Sequence, residues 1–333
     1  MFTEATNPIE VETEQESSST MPKSMITDWP EGNADKFQKE IMGFGHDLAG
    51  TGLFTDAALI NLLERHPSEL LDVCTMGPAD HPQFPNKFRT GDFRDASGET
   101  LLKVAKAGRV WINCREAMNV HKDYKDVLDM MYGELAERTG NATFNPRGGI
   151  LISSPVARVP YHFDKTETLL WHVRGKKRMY IYPQTEKFIP DAAYENTLTN
   201  AIEDDIPFDE SFEDFAKAID IPENTALCWE LNAPHRVDNQ TFCVSVTTEY
   251  STQISGMKNA AMLTNAALRR YFGMNPSYRN DGEMKRKVKS IFGRALSKTK
   301  LAPDNTDLDM VSFKVVDHAK GFIVDVDPFV RNF

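Results

Sequence analysis

The sequence predicts a mainly β protein, a double-stranded β-helix (jelly roll) with flanking helices, and three observations support this. Between residues 145 and 250, short apolar runs are separated by turn residues such as Pro155, Gly175 and Pro183. Several of these runs alternate apolar and polar residues, as half-buried strands do. The segments before and after this region instead carry apolar residues at helical spacing. Many short strands enclosed by helices favour a two-sheet jelly roll.

The chain divides into four segments by composition and pattern. Residues 1–30 are rich in Glu, Ser and Thr and poor in large apolar side chains, so we expect a disordered acidic tail. Residues 31–144 form an N-terminal flank of helices and strands. Residues 145–252 are the jelly-roll core, which includes an acidic insertion over residues 186–223. Residues 253–333 form a mostly helical C-terminal region.

Individual elements follow from caps and periodicity. Thr55 and Ser97 are good N-terminal caps for two helices, and Gly140 ends a long amphipathic helix. Helices are predicted over 35–42, 55–65, 97–107, 123–138, 257–272 and 281–301. Strands are predicted over 70–76, 109–114, 149–153, 159–164, 167–173, 177–182, 225–231, 241–250, 312–316 and 322–326.

Charge is distributed unevenly along the chain, whose net charge is −11. Residues 186–223 hold twelve acidic residues against two lysines, whereas residues 256–300 hold eleven basic residues against two acidic ones. An acidic protein is a poor general nucleic-acid binder. The basic stretch keeps a local nucleic-acid contact open, although a solvated helix face is the favoured interpretation.

The chain carries no sign of export or of a membrane anchor. No apolar run approaches the roughly 18 residues that cross a bilayer, and the N-terminus lacks the apolar core of a signal peptide. We therefore expect a cytoplasmic protein with no membrane partner. Its four cysteines lack C-x-x-C spacing and are predicted to be buried and reduced. Five histidines in helical or loop contexts are predicted at the surface: His46, His66, His81, His121 and His318.

His162 and Asp164 are the residues most informative about chemistry. Residues i and i+2 of a strand point to the same face, so both side chains reach a single metal ion from one predicted strand. His235 is the best third ligand, because it follows a proline and leads into another predicted strand. Two histidines and one carboxylate form the facial triad of non-haem Fe(II) oxygenases. His172 is an alternative ligand, but its apolar strand favours a hydrogen-bonded core histidine or a substrate contact.

Residues 149–183 resemble the core of JmjC-type hydroxylases, which are cupin-like proteins. They carry the H-x-D of that family on one strand, then an apolar strand that ends at Gly175, and then a lysine shortly after the glycine. The resemblance covers about residues 145–250 and is nearest to the asparaginyl-hydroxylase-like and bacterial cupin-like branch. It implies an oxygenase that uses Fe(II), 2-oxoglutarate and O2.

The resemblance also implies that Lys177, with Lys176 as its neighbour, binds the distal carboxylate of 2-oxoglutarate. In a second oxygenase class, similar to clavaminate-type enzymes, an arginine about ten residues after the distal histidine binds this carboxylate. Here Ser245 stands at that place, and no arginine lies between Val237 and Tyr250. The lysine therefore favours the JmjC type.

Three further residues are predicted to contact the cosubstrate. Thr168 occupies the place where the asparaginyl-hydroxylase branch carries a polar residue against 2-oxoglutarate. Ser245 and Thr247 point together from the last predicted strand, because they share its parity. Val159 stands where that branch has a second cosubstrate-binding threonine, so this contact departs from the family pattern.

These features predict a 2-oxoglutarate-dependent dioxygenase that hydroxylates a C–H bond of a peptide or protein side chain or of a small metabolite. One alternative is an N-methyl-lysine demethylase, although its branch usually has Glu in place of Asp164 and a longer gap to the lysine. A second alternative is a non-enzymatic, metal-binding cupin module with a regulatory role. The resemblance further implies a homodimer formed through the C-terminal helices.

Overall fold

The computed structural model describes residues 22–76, 88–199, 206–299, 310–319 and 322–331. The N-terminal flank consists of β1 (Ile26–Asp28), α1 (Asn33–Lys36), β2 (Met42–His46), α2 (Asp56–Arg65), β3 (Leu71–Met76), β4 (Phe88–Asp92), α3 (Gly98–Ala107), β5 (Trp111–Cys114), α4 (Ala117–Val120) and α5 (Lys122–Thr139). The core consists of β6 (Phe144–Ser153), β7 (Arg158–His162), β8 (Glu167–Arg174), β9 (Lys177–Ile181), α6 (Asp191–Thr199), β10 (Lys217–Ile221), β11 (Thr225–Cys228), β12 (His235–Asn239) and β13 (Cys243–Ser251). The C-terminal region consists of α7 (Gln253–Phe272), α8 (Glu283–Leu296), β14 (Met310–Val315) and β15 (Ile323–Val330).

Strands β6 to β13 form a double-stranded β-helix. Their order is β11-β8-β13-β6 in the major sheet and β10-β9-β12-β7 in the minor sheet. They pair antiparallel in a nested order: β6 with β13, β7 with β12, β8 with β11, and β9 with β10. Nested pairing of eight strands is the double Greek key of a jelly roll. The predicted fold class is therefore confirmed.

The major sheet extends beyond the jelly roll on both sides. β2 and β1 continue it from β11, and β5, β3, β4, β14 and β15 continue it from β6. The two strands predicted in the C-terminal tail are thus present, and β14 pairs in parallel with β4. At this junction the ring of Phe313 lies directly over Gly91, where a Cβ atom would overlap it. The sheet extensions give the helices of the N-terminal flank a wide surface to pack on.

The two faces of β8 separate the protein into two apolar layers. Leu169 and Trp171 point outward, into a large core that includes residues of α2, α3 and α5. Leu170 points inward, into a smaller cluster between the sheets that contains Met179 and Val237. The space between the sheets is only partly apolar, so polar side chains also face it.

Two predicted segment boundaries are wrong. The prediction of disorder over residues 1–30 is wrong for β1, because this strand pairs with β2 and its residue Ile26 is buried. Residues 1–21 lie outside the described residues. The acidic insertion over residues 186–223 contains β10, which is an edge strand of the minor sheet. Only Ile221 of this short strand is buried. The strand therefore shows no clear alternation of apolar and polar residues within the acidic segment.

Helices α7 and α8 pack together through small residues, and the apolar stripe of α8 (Val288, Ile291 and Phe292) lies outside this contact. Gly293 lies so close to Ala260 that a Cβ atom would overlap the Ala260 carbonyl. The apolar side chains Val288, Ile291 and Phe292 consequently face outward and are 47%, 68% and 65% exposed. No helix in the described ranges is both long enough and apolar enough to cross a membrane.

Candidate metal centre and cosubstrate pocket

His162, Asp164 and His235 come together at one end of the jelly roll. His162 ends β7 and pairs with His235, which begins β12. The two ring centroids are 4.2 Å apart, and Nε2 of His235 lies 3.7 Å from Oδ2 of Asp164. One possible ligand atom from each side chain lies within 4.8 Å of the other two. Among the residues that the structure describes, this is the one such cluster of His, Cys, Asp or Glu.

Asp164 does not lie on the strand from which its position was predicted, because β7 ends at His162. Side-chain amides from two other parts of the chain fix the turn that carries it. Asn232 Nδ2 donates to the main-chain oxygen of Asp164 at 2.6 Å, and Asn259 Nδ2 donates to that of Lys165 at 2.8 Å. The two-residue spacing therefore brings the imidazole and the carboxylate together without a continuous strand.

Main-chain carbonyls fix the orientation of both histidine rings. Nδ1 of His162 lies 2.7 Å from the Pro160 oxygen, and Nδ1 of His235 lies 2.9 Å from the Ala233 oxygen. A carbonyl only accepts, so each Nδ1 carries the proton and donates it. The lone pair of each Nε2 is then available to a metal, as in other metal-ligating histidines.

The electrostatics of the cluster fit a divalent cation. Burial raises the pKa of Asp164, although His162 and a hydrogen bond with Thr168 partly offset this. The Oδ2 atom of Asp164 is buried and has no hydrogen-bond partner among the described residues. Burial, and then repulsion from His162, lowers the pKa of His235 well below its usual range. A neutral imidazole and an unsatisfied carboxylate oxygen are the ligand states that a metal ion needs.

Lys177 is held between the two sheets by a chain of hydrogen bonds. Its Nζ donates to Ser245 Oγ at 2.8 Å, and Ser245 Oγ lies 3.0 Å from His172 Nδ1. His172 Nε2 lies 2.9 Å from the Gly175 carbonyl, to which it must donate. His172 Nδ1 is therefore the acceptor, and the Ser245 hydroxyl donates to it. His172 contacts Lys177 through Ser245 and is not part of the metal cluster.

The ammonium of Lys177 has only a neutral partner in the described part of the chain. Lys177 is 3% exposed, and burial lowers its pKa to about 8. Its one hydrogen bond goes to the Ser245 hydroxyl, and no carboxylate pairs with it there. A buried cation without a counter-ion is costly, and a bound carboxylate would offset that cost. The neighbouring Lys176 is exposed.

Gly175, which ends the apolar strand before Lys177, has a backbone that only glycine adopts readily. Its φ is +100°, and a Cβ atom would lie 2.3 Å from the Phe242 carbonyl oxygen. We expect Gly175→Ala to lower the free energy of unfolding by about 2 kcal/mol or more. Chemical denaturation measures this change. Gly133→Ala, in an open position of α5, should instead stabilise the protein by up to about 1 kcal/mol.

Thr168, Thr247 and Val159 face the same space, at different distances from the metal cluster. Thr168 hydrogen-bonds to the carboxylate of Asp164, so it contacts a predicted ligand directly. Thr247 lies beside Gly149, where a Cβ atom would be 3.3 Å from its methyl group. Val159 packs against the interior apolar cluster. Contacts of Thr168, Ser245 and Thr247 with 2-oxoglutarate stay predictions.

Asn232 and Lys258 are residues of this region that sequence reasoning missed. Asn232 adopts a left-handed conformation with φ of 63°, which asparagine tolerates better than most residues. Besides its bond to Asp164, its Oδ1 accepts a hydrogen bond from Lys258 Nζ at 2.7 Å. An asparagine three residues before His235 was a usable signal. Lys258 gave none, because it comes from α7.

The prediction that the remaining histidines lie at the surface is wrong for three of them. His46, His66 and His121 are buried. His46 Nε2 lies 3.1 Å from the main-chain oxygen of His172, while His66 Nδ1 and His121 Nε2 lie 3.1 Å apart. These partners of the buried rings are distant in sequence, so the residues next to each histidine did not indicate its burial. His318 is exposed, and His81 lies outside the described residues. All four cysteines are buried and free, as predicted.

No protein-family model and no curated protein matches this sequence. Among solved structures, the chain is similar to YcfD, a ribosomal oxygenase from Escherichia coli, in complex with cobalt and 2-oxoglutarate. The two are 12% identical over 87% of this chain and 74% of that chain, with a TM-score of 0.45. YcfD with cobalt and succinic acid gives 13% identity, the same coverage and a TM-score of 0.44. A cupin superfamily protein from Desulfitobacterium hafniense is 9% identical over 32% of this chain and 67% of that chain, with a TM-score of 0.20.

Strand pairing in this chain defines a double-stranded β-helix fold, the architecture of cupins and of JmjC-like 2-oxoglutarate oxygenases. This assignment rests on the nested pairing of β6 to β13. Any functional conclusion rests on the side chains that this chain places inside that fold.

Proposed function

We propose that this protein is an Fe(II)- and 2-oxoglutarate-dependent dioxygenase that hydroxylates a C–H bond of a peptide or protein side chain or of a small metabolite. The observation that supports this most is the combination of two features inside one jelly roll. His162, Asp164 and His235 offer three ligand atoms to one point. Lys177 offers a buried ammonium without a carboxylate partner in the described ranges. A 2-His-1-carboxylate set with open positions suits non-haem Fe(II).

In this proposal, four residues would bind the metal or the cosubstrate, and one would orient a metal ligand. His162, Asp164 and His235 would hold the metal, and Thr168 would orient the carboxylate of Asp164. Lys177 would bind the distal carboxylate of the cosubstrate. When bound, iron and 2-oxoglutarate would supply the oxidising chemistry with O2.

The register of the minor sheet suits this arrangement. His235 pairs with Ile181 and Asn239 pairs with Lys177, so Lys177 lies four strand residues, about 13 Å along the sheet, from the level of the metal ligands. The long lysine side chain can shorten that distance to suit a five-carbon dicarboxylate. The apolar side chains of Leu170, Met179 and Val237 would exclude water between the two binding points.

The test is binding followed by turnover. Protein with Fe(II) under argon should develop a weak visible charge-transfer band when 2-oxoglutarate is added. Succinate formation is then screened across peptides, amino acids, small metabolites and tRNA. Absence of both the band and succinate would leave the non-enzymatic cupin module as the better interpretation. Formaldehyde released from methylated peptides would instead indicate demethylation.

We also propose that the protein forms a homodimer through α7 and α8. Met284, which is 80% exposed, lies at helical spacing from the outward stripe of Val288, Ile291 and Phe292 and extends it by one turn. Phe272, at the end of α7, is 73% exposed. Large exposed apolar patches are typical of interaction surfaces. The buried side of α8 already packs on α7, so a second copy of this chain is the simplest partner for the other side.

The double substitution Ile291→Glu, Phe292→Glu is expected to convert a dimer to a monomer, because it places two charges in an apolar interface. Size-exclusion chromatography with light scattering should show the mass fall to one half. Val120→Glu changes another exposed apolar residue (45%), which lies in the N-terminal flank, and should leave the mass unchanged. A wild-type protein that is monomeric at every concentration tested would contradict the proposal.

A further inference from the structure

A second cavity, of about 160 Å³, lies beside the loop that carries Asp164. Its wall includes Asn232, which bonds to the main chain of Asp164, and Tyr194 of α6. The other polar residues of the wall are Gln184 after β9, Asp191 of α6, Lys258 of α7, Tyr278 and Arg279 between α7 and α8, and Arg286 of α8. This cavity is separate from the space between the two sheets, where Lys177 lies.

The polar wall of this cavity is predominantly cationic. Lys258, Arg279 and Arg286 line it, against the single carboxylate of Asp191. Arg279 is already neutralised, since it pairs with Asp191 and, at 2.8 Å, with Glu186. The cavity therefore holds more positive than negative charge.

Lys258 and Arg286 have neutral partners only, within the part of the chain that the structure describes. Lys258 Nζ donates to Asn232 Oδ1 at 2.7 Å. Arg286 donates to the main-chain oxygens of Tyr278 and Arg279, each at 3.0 Å. Both side chains are only partly exposed, so water screens them less than it screens surface cations.

The environment of Lys258 disfavours its positive charge. Burial, and then repulsion from Arg279, lowers its pKa to about 8, although attraction from Asp191 partly offsets this. An anion in the cavity would oppose both effects. Arginine and lysine together are a common pair for oxyanions, since the guanidinium offers a fork of donors and the ammonium a compact charge.

We infer that this cavity binds an oxyanion group, a carboxylate or a phosphate, of a small ligand. Its volume is below the roughly 300 Å³ at which sites for drug-sized ligands begin, so it admits one charged group and the few atoms attached to it. The anion contacts Lys258 and Arg286. Through Asn232, Lys258 is linked to the main chain of Asp164 by two hydrogen bonds, so an anion on Lys258 lies three hydrogen bonds from that metal-cluster residue. This binding site stands independently of the proposed oxygenase activity.

Isothermal titration calorimetry on the full chain tests the inference, with inorganic phosphate and acetate as separate probes. We expect at least one probe to bind the wild type, and the probe that binds distinguishes a phosphate site from a carboxylate site. Lys258→Met and Arg286→Gln should each weaken that binding at least tenfold. Lys287→Met, which removes an exposed cation from the same helix, should bind like the wild type.

Lys177→Met serves as the second control, because it removes a buried ammonium that lies between the sheets, outside this cavity. Binding that is lost in Lys177→Met but kept in Lys258→Met and Arg286→Gln would overturn the inference, as would a wild type that binds neither probe. Thermal melting checks that each variant folds. If Lys258→Met fails to fold, Arg286→Gln decides the outcome. The readout needs neither iron nor 2-oxoglutarate, so failure of the proposed function would leave it unaffected.

Discussion

Asp164→Asn is expected to abolish tight binding of a divalent metal while leaving the metal-free protein at least as stable as the wild type. The substitution removes the only anionic ligand of the cluster and keeps the shape of the side chain. In the metal-free protein the buried carboxylate has a raised pKa and an oxygen without a hydrogen-bond partner. A raised carboxyl pKa destabilises the folded state once the pH exceeds the unfolded pKa of about 4, so a neutral amide should make the metal-free protein more stable near pH 7.

Thermal unfolding with and without Mn(II) measures both effects. At a metal concentration about 100 times its Kd, the wild type should gain about 2.7 kcal/mol, whereas Asp164→Asn should gain almost nothing. Asp220→Asn, at an exposed residue of β10, should retain the full metal-induced gain. A Mn(II) effect of wild-type size in Asp164→Asn would show that the metal binds elsewhere.

Lys177→Met should raise the Kd for 2-oxoglutarate at least 100-fold without changing metal affinity. The loss of one partner of a buried charge pair costs about 3 to 5 kcal/mol, and about 2.7 kcal/mol already corresponds to a factor of 100. Methionine has a similar length and no charge, so the cavity stays filled. Isothermal titration calorimetry of the Mn(II)-loaded protein with 2-oxoglutarate gives the Kd.

Lys176→Met is the matched control, because Lys176 is the adjacent exposed lysine. Its Kd should stay within about twofold of the wild type. A second readout is the pH profile: the pKa of Lys177 near 8 means that the wild-type affinity should fall as the pH rises above 8, where the ammonium loses its proton. Equal effects of the two lysine substitutions would contradict the assignment of Lys177.

The parts of the candidate site that the sequence predicted are those encoded within a few residues. The two-residue spacing of His162 and Asp164 and the proline before His235 are local signals, although Asn232 and Asn259 fix the turn that carries Asp164. Lys177 follows a glycine whose conformation is also local, with φ of +100°. The jelly roll was predictable because most of its strands are short apolar or alternating runs between turn residues, although β10 is not.

The missed features depend on contacts between distant segments. Asn232 and Lys258 meet beside Asp164 only after α7 has packed against the core. The outward direction of the α8 stripe depends on Gly293 meeting Ala260, which periodicity alone does not reveal. β10 was hidden because an edge strand buries few side chains and so lacks a clear alternation.

The parallel pairing of β14 with β4 has a consequence for how the chain matures. The ion pair between Arg89 and Asp325 across this region joins residues 236 positions apart, so it forms only after residue 325 has been synthesised. Until then β4 offers an open edge to other strands. Contacts of such long range are slow to form. We therefore expect the nested jelly roll to fold first. β14 and β15 should then add to the edge at β4 and so block its pairing with strands of other molecules.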